Sequence, residues 1–304
     1  QGFAHAADGT MAATDFGRVL FNPSMPSRFV HMVLAAYLTT AMVVAGASAF
    51  ALLSGRPKSE SGASLRMAIL MMAVVAPIQI MAGHESGLVA HHYQPAKVAA
   101  LEGWWTTRTQ QPTVLIGFPN ETAQRNDAAL SVPGLGSAVN NVPPNVEVQG
   151  LDAFAPADRP PVFITFWAFR IMVAVGLGMV VLGLWGLVNW LLGRVDRARW
   201  HHRALVVAAP SGFTAVLAGW IVAEVGRQPY LVYGVLRTAD SVSPVTAGSV
   251  AFSLLLFIVT YAIVFSAGAL YILRLIGKGP DSDEPEPKTD EPPGSPLGAA
   301  VREA

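Results

Sequence analysis

Apolar positions dominate five long stretches of the 304-residue chain, and polar residues gather between them. The stretches run over Phe29–Leu53, Ser64–Gly83, Val162–Leu192, Ala204–Val225 and Thr246–Ile276. Each is long enough to cross a hydrocarbon core, which takes about 20 residues of helix. The third and fifth are longer than that and tilt or extend beyond the lipid. The pattern predicts an all-α, polytopic membrane helix bundle: five transmembrane helices plus a long extracytoplasmic loop. The expected organisation is an N-terminal loop over 1–28, helices one and two over 29–83, the external loop over 84–161 and helices three to five over 162–276. The remainder, 277–304, is rich in Pro, Asp, Glu and Lys and reads as a disordered tail. Within the loop, 111–161 is rich in Pro, Asn and Gly and reads as mobile.

Composition agrees with a membrane protein. Charged residues make up 13% of the chain, against about 25% in an ordinary soluble domain. The formal net charge of zero argues against a nucleic-acid partner, which needs a basic face. There is no cysteine, which excludes disulfides, iron–sulfur clusters, thiolate ligands and haem attached through C-x-x-C-H. Basic residues mark one side of the bundle: Arg56, Lys58 and Arg66 after the first span, Arg194, Arg197, Arg199 and Arg203 after the third, Arg274 and Lys278 at the end of the fifth. The positive-inside rule places that side, with the C-terminus, in the cytoplasm and the long loop outside.

This topology brings three candidate ligands to a similar depth near the outer face. His31 stands at the start of the first span, Met172 near the outer end of the third and Glu224 at the outer end of the fourth. A neutral imidazole and a thioether are both good ligands for haem iron. Met is also a common filler of apolar packing, and a lone helix-end His often bonds a carbonyl. Arg170, just inside the third span, needs an anionic partner such as a haem propionate. Glu224 and Arg227 are three residues apart, so a simple ion pair stands beside the reading of Glu224 as a weak axial ligand. Outside the membrane, Lys97 and Glu102 are five apart, which on a helix turns them to different faces rather than into a surface salt bridge. His84, His91 and His92 lack further ligands at clear metal-site spacing.

Several of these stretches resemble subunit I of the cytochrome bd quinol oxidases. Glu224-Val225-Gly226-Arg227-Gln228-Pro229 resembles its GRQPW signature, with Tyr230 in place of the last aromatic. Phe29-Val30-His31, Arg170-Ile171-Met172 and Gln94-Pro95-Ala96-Lys97 through Glu102 are similar to three further family motifs. The resemblance runs from about residue 15 to 276 and covers the C-terminal two thirds of such a subunit. It implies a multi-pass protein of the bacterial inner membrane, with its long loop in the periplasm. It implies that His31 and Met172 are the axial ligands of a low-spin haem b and Glu224 that of a high-spin haem b, with Arg170 and Arg227 as propionate or haem-site charges. It implies that Lys97 and Glu102 bind and oxidise quinol. The expected partners are quinol, O2 in the complete enzyme and a second membrane subunit.

The departure from the family lies at the N-terminus. The family has nine spans and only the last five are expected here, so the haem d site is incomplete and residues 1–28 hold no replacement for its histidine. The alternative is a haem-free transporter or structural subunit in which Arg170, Glu224 and Arg227 form buried ion pairs. Transporters commonly show inverted repeats with broken helices at midplane, and no such repeat is visible.

Overall fold

The computed structural model describes residues 2–5, 11–56 and 58–279. Five helices are long and apolar enough to cross a membrane: Met25–Leu53, Glu60–Tyr93, Pro156–Leu191, Arg199–Val225 and Ala247–Lys278. The molecule divides into two units, residues 1–244 and 245–304.

The first unit opens with a small hairpin, β1 (Phe3–His5) against β2 (Met11–Ala13), and a one-turn helix α1 (Phe16–Leu20) capped by the Asp15 carboxylate. The N-terminal loop is therefore partly structured, and the first span starts four residues early. It is α2 (Met25–Leu53), with Pro26 in its first turn, where a missing N–H costs nothing. The second span, α3 (Lys58–Tyr93), does not stop at Gly83. No proline interrupts 84–93, and the helix persists until Pro95 forces the preceding residue out of the helical region.

The third span is α6 (Val162–Leu191). The fourth is broken at Pro210 into α7 (Arg199–Ala208) and α8 (Ser211–Val225), because proline brings no N–H to continue the ladder. Small and aliphatic side chains hold α2, α3, α6 and α7 together. Leu38, Ala41, Met42, Ala45 and Ala49 recur at helical spacing on α2 and meet Leu65, Ala68, Ile69, Met72 and Ala76 on α3, with Met179 and Leu205. Alanine at these positions lets backbones approach, the usual route to helix packing in lipid.

The loop between α3 and α6 has its own core, contrary to its reading as mobile. It contains α4 (Pro95–Glu102), β3 (Arg108–Thr109) paired with β6 (Glu147–Val148), the hairpin β4 (Thr113–Asn120) and β5 (Arg125–Val132), and the short α5 (Leu135–Val139). Val98, Ala99, Ala100, Trp104, Trp105, Val148 and Leu151 pack together with Val162 of α6. The fully buried Gln111 ties the layers: its amide donates to the carbonyls of Thr106 at 2.7 Å and Val148 at 3.2 Å. After α8 a last hairpin, β7 (Tyr230–Val232) with β8 (Leu236–Arg237), is fastened to the loop through Asp158, which accepts from Tyr230 at 2.7 Å and from Arg237.

The second unit contains one described element, α9 (Ala247–Lys278). Thr246 caps its N-terminus, and Phe257, Tyr261 and Phe265 stack along one face at 5.7 and 5.5 Å. It extends two residues into the span expected to be tail; residues 280–304 lie outside the described residues.

Candidate functional site

The residues singled out in the sequence sit at the loop-side end of the bundle. His31 is the seventh residue of α2 and faces α3. Its Nε2 lies 3.3 Å from the Gln79 amide nitrogen, and its Nδ1 is buried without a hydrogen-bond partner. The Gln79 carbonyl oxygen is buried and unpartnered too. Gly83, one turn further along α3, makes room for the imidazole: a Cβ there would stand 3.1 Å from His31 Cε1.

Met172 lies on α6 and turns towards α8, where Gly219 gives it room; a Cβ at Gly219 would stand 3.0 Å from the sulfur. Gly219 is five residues below Glu224, about 7 Å along the axis of α8. Arg170 leaves α6 in another direction. Its guanidinium donates to the Leu101 carbonyl at 2.5 Å and, through Nε, to the Val114 carbonyl at 2.8 Å, and lies 3.3 Å from the Phe166 ring. Its charge partner is Glu102, at 3.6 Å, with both side chains about nine-tenths buried. In this structure its hydrogen bonds all run to backbone carbonyls, and the carboxylate beside it is that of Glu102.

Helix α4 bridges two spans. Every residue from Ala96 to Glu102 is buried, and the helix ends at Gly103 in the left-handed region, φ 68°. From it Glu102 reaches α6, whereas Lys97 reaches the end of α8, donating to the Ala223 carbonyl at 3.4 Å. The Lys97 stem passes within 3.1 Å of where a Cβ at Gly226 would be. The two side chains do turn apart, as five-residue spacing on a helix requires.

Burial decides the charge state of both. Loss of water pushes the Glu102 carboxyl up to about 7, and the Arg170 guanidinium only partly opposes this. Loss of water also pulls the Lys97 ammonium down to about 8, helped by Arg28 and Arg227 and opposed by Glu224. The ion pair between 3.6 Å-separated Glu102 and Arg170 is too long for a hydrogen bond, and Glu102 Oε2 has no other partner.

Glu224 and Arg227 do form the ion pair their spacing allows, Arg227 donating to Oε2 at 2.5 Å. That leaves Oε1 for another ligand, and leaves Arg227 Nε buried and unpartnered. The sequence reading passed over Gln79 and Trp167, whose Nε1 is likewise buried without a partner. Gln79 carried a signal, since it is a polar side chain inside an apolar run. His91 and His92 line a cavity of about 230 Å³ with Pro95 and Glu147. Among the described residues, no group of three or more His, Asp or Glu is arranged to hold a metal ion.

The family model for cytochrome bd terminal oxidase subunit I matches residues 1–280. The chain belongs to the cytochrome bd terminal oxidase subunit I family. Among its relatives is the cytochrome bd ubiquinol oxidase subunit 1 of Bacillus subtilis (strain 168), 32% identical over 91% of this chain and 61% of the relative. A putative cytochrome bd menaquinol oxidase subunit I of the same organism is 30% identical over 91% and 63%. The solved bd oxidase from Geobacillus thermodenitrificans superposes with a TM-score of 0.82 at 29% identity, covering 92% of this chain and 64% of that one. The chain therefore spans a little over three fifths of the length of these relatives. Membership in the bd family accounts for the helical membrane bundle and makes this a multi-pass membrane protein.

Proposed function

We propose that this chain is the quinol-oxidising, haem-b-bearing part of a bd-type terminal oxidase. The observation that carries the reading is α4, which buries an acid and an amine between the ends of two spans. Relatives whose names specify ubiquinol and menaquinol oxidases support it.

Quinol oxidation gives up two electrons and two protons. Glu102, poised near neutral pH and with an oxygen lacking a hydrogen bond, is a suitable acceptor for a hydroxyl proton. Lys97 supplies a donor to the other end of the ring, and its lowered pKa lets it give up a proton readily. Arg170 holds the α4 terminus in place and keeps the proton affinity of Glu102 from rising further. The loop side is the periplasmic side in this reading, and protons leave there.

The residues present fit haem. His31 offers a buried ring nitrogen with no partner, and Gly83 and Gly219 clear space beside the imidazole and the thioether. His31 and Met172 would hold a low-spin haem b and Glu224, through the oxygen not bonded to Arg227, a high-spin haem b. Arg227 fixes the Glu224 carboxylate and supplies a positive charge at that site. Haem, when bound, supplies a one-electron acceptor for quinol and a route onward to O2 in the complete complex with its second membrane subunit.

The reduced-minus-oxidised visible spectrum of membranes containing the chain tests this. A haem b α-band is expected in the wild type and is expected to disappear in His31→Ala and Met172→Ala while the chain remains inserted. Absence of haem from the wild type would overturn the proposal in favour of a haem-free transporter or structural subunit.

A further inference from the structure

The β4–β5 hairpin lies along the first two turns of α6, and four contacts fix its register. At its root, the Val114 carbonyl accepts from Arg170, whose guanidinium leans back over Phe166. Midway, the Phe118 ring lies 5.8 Å from the Trp167 ring. At the tip, the Glu121 carboxylate accepts from the Val162 and Phe163 amides, which begin the helix. On the second strand, Asn126 donates to the Gly103 carbonyl and accepts from Trp105. The root is thus level with the second turn of α6 and the tip with its first residue, a descent of about 6 Å.

Polarity follows that descent. The tip carries Asn120, Glu121, Gln124 and Arg125; Phe118 faces Asp127 midway; and nearer the root stand Leu115, Ile116 and Leu130, these three and Phe118 all roughly half exposed. Ile116 and Leu130 are direct cross-strand partners, so they form one apolar surface. Phe163 and Ile164 in the first turn of α6 are also half exposed. Helix α6 has 30 residues and is about 45 Å long, so it matches a whole bilayer with both headgroup layers. Its first turns then stand at the level of the headgroups. A two-stranded hairpin keeps unpaired edges, which the hydrocarbon core does not tolerate and the hydrated interface does.

We propose that the β4–β5 hairpin is an interfacial lip, seating Ile116, Leu130 and their neighbours among the phospholipids of the loop-side leaflet. The depth is that of an amphipathic element at the headgroup–acyl boundary, about 5–10 Å. The lip rests on the membrane reading of the fold and not on the quinol assignment. Its effect is to hold α4 against the bilayer surface, where a lipid-borne substrate arrives.

The chain has no cysteine, so a single one can be introduced and spin-labelled. Ile116→Cys and Leu130→Cys, with Gln124→Cys at the tip as the reference, would be labelled in the assembled complex in phospholipid nanodiscs, the unsubstituted complex giving the background. At 116 and 130 the ratio of oxygen to nickel-chelate relaxation is expected to be several-fold higher than at 124. A ratio like that of the tip would overturn the proposal by placing the hairpin in water. Shielding from both reagents would also overturn it, by showing that protein covers the surface.

Discussion

The two ends of the bundle treat buried charge differently. At the end away from the loop, Arg66 of α3 donates to Asp196 at 2.5 Å, and Gly62 leaves space for the pair. The adjacent His202 and His201 engage the Val195 and Leu182 carbonyls at 2.7 and 3.0 Å. These four side chains each make a short bond, although Asp196 Oδ1 and His201 Nδ1 are buried without partners, and about a third of each member of the ion pair meets solvent. At the loop-side end, Arg170 and Glu102 are far more buried yet stand 3.6 Å apart, and Lys97 finds only a carbonyl at 3.4 Å. Close contact, partly hydrated, is what a structural clasp needs. Deep burial with the counter-charge held beyond hydrogen-bond distance raises proton affinity instead. The difference separates an end whose charges are clasped and partly hydrated from one whose charges are buried and held apart.

The strongest way to break this contrast is to remove Arg170. Arg170→Gln strips three carbonyl contacts and the counter-charge of Glu102 at once. Breaking one side of a buried pair costs about 3–5 kcal/mol, so a large fall in unfolding free energy in detergent is expected. Quinol oxidation is expected to fall with it. If the variant is as stable as Arg66→Gln, the two ends are alike and the contrast fails.

The second effect is one of pH, and α4 contributes two large shifts to it. Below pH 4.5 the Glu102 carboxyl is protonated whether the chain is folded or not. Between 4.5 and about 7 the unfolded chain ionises it and the folded chain keeps the proton, so stability falls as pH rises and levels off above about 7. For Lys97 the window lies between about 8 and 10.5, where the unfolded chain holds a proton that the folded chain has shed; stability rises with pH across it. The two together give a minimum between pH 7 and 8, on the order of a few kcal/mol deep. Denaturation midpoints across this range should show the dip, and Glu102→Gln should remove its acid limb. A flat curve in the wild type would mean that α4 is hydrated.

Much of this end was legible in the chain because a membrane penalises ionisable groups. His31 and Glu224 stood out against apolar runs, Met172 and the α4 pair were marked by the family resemblance, and the five spans followed from length and hydropathy. The hairpin did not stand out, since Pro, Asn and Gly dominate its surroundings and its anchors are remote in sequence. Arg170 lies 56 residues from Val114 and 69 from Leu101, so no local pattern records that it binds them. The extension of α3 past Gly83 was missed for the opposite reason: polar residues there ended the apolar run while nothing ended the helix. Hydropathy reports where lipid stops, not where hydrogen bonds do.

Gly219 sharpens the comparison at smaller scale. Gly219→Ala would press a methyl to 3.0 Å from the Met172 sulfur, tighter than ordinary contact. Overpacking of this kind costs about 1–3 kcal/mol. If Met172 ligates haem iron, the α-band should shift while haem content is retained, because the sulfur is displaced and not removed. An unchanged spectrum in a folded variant would separate Met172 from the cofactor.

The smallest effect is expected at the opposite end. Arg66→Gln breaks a 2.5 Å contact, the shortest geometry of the pairs compared, yet its partners are about one-third exposed. Water replaces much of what is lost, and exposed pairs contribute about 0.2–1 kcal/mol. A change within that range, with quinol oxidation retained and the denaturation dip between pH 7 and 8 intact, would show that distance ranks these pairs wrongly and burial ranks them correctly. A loss as large as that of Arg170→Gln would show instead that the inner clasp bears on the same equilibrium as the loop-side site.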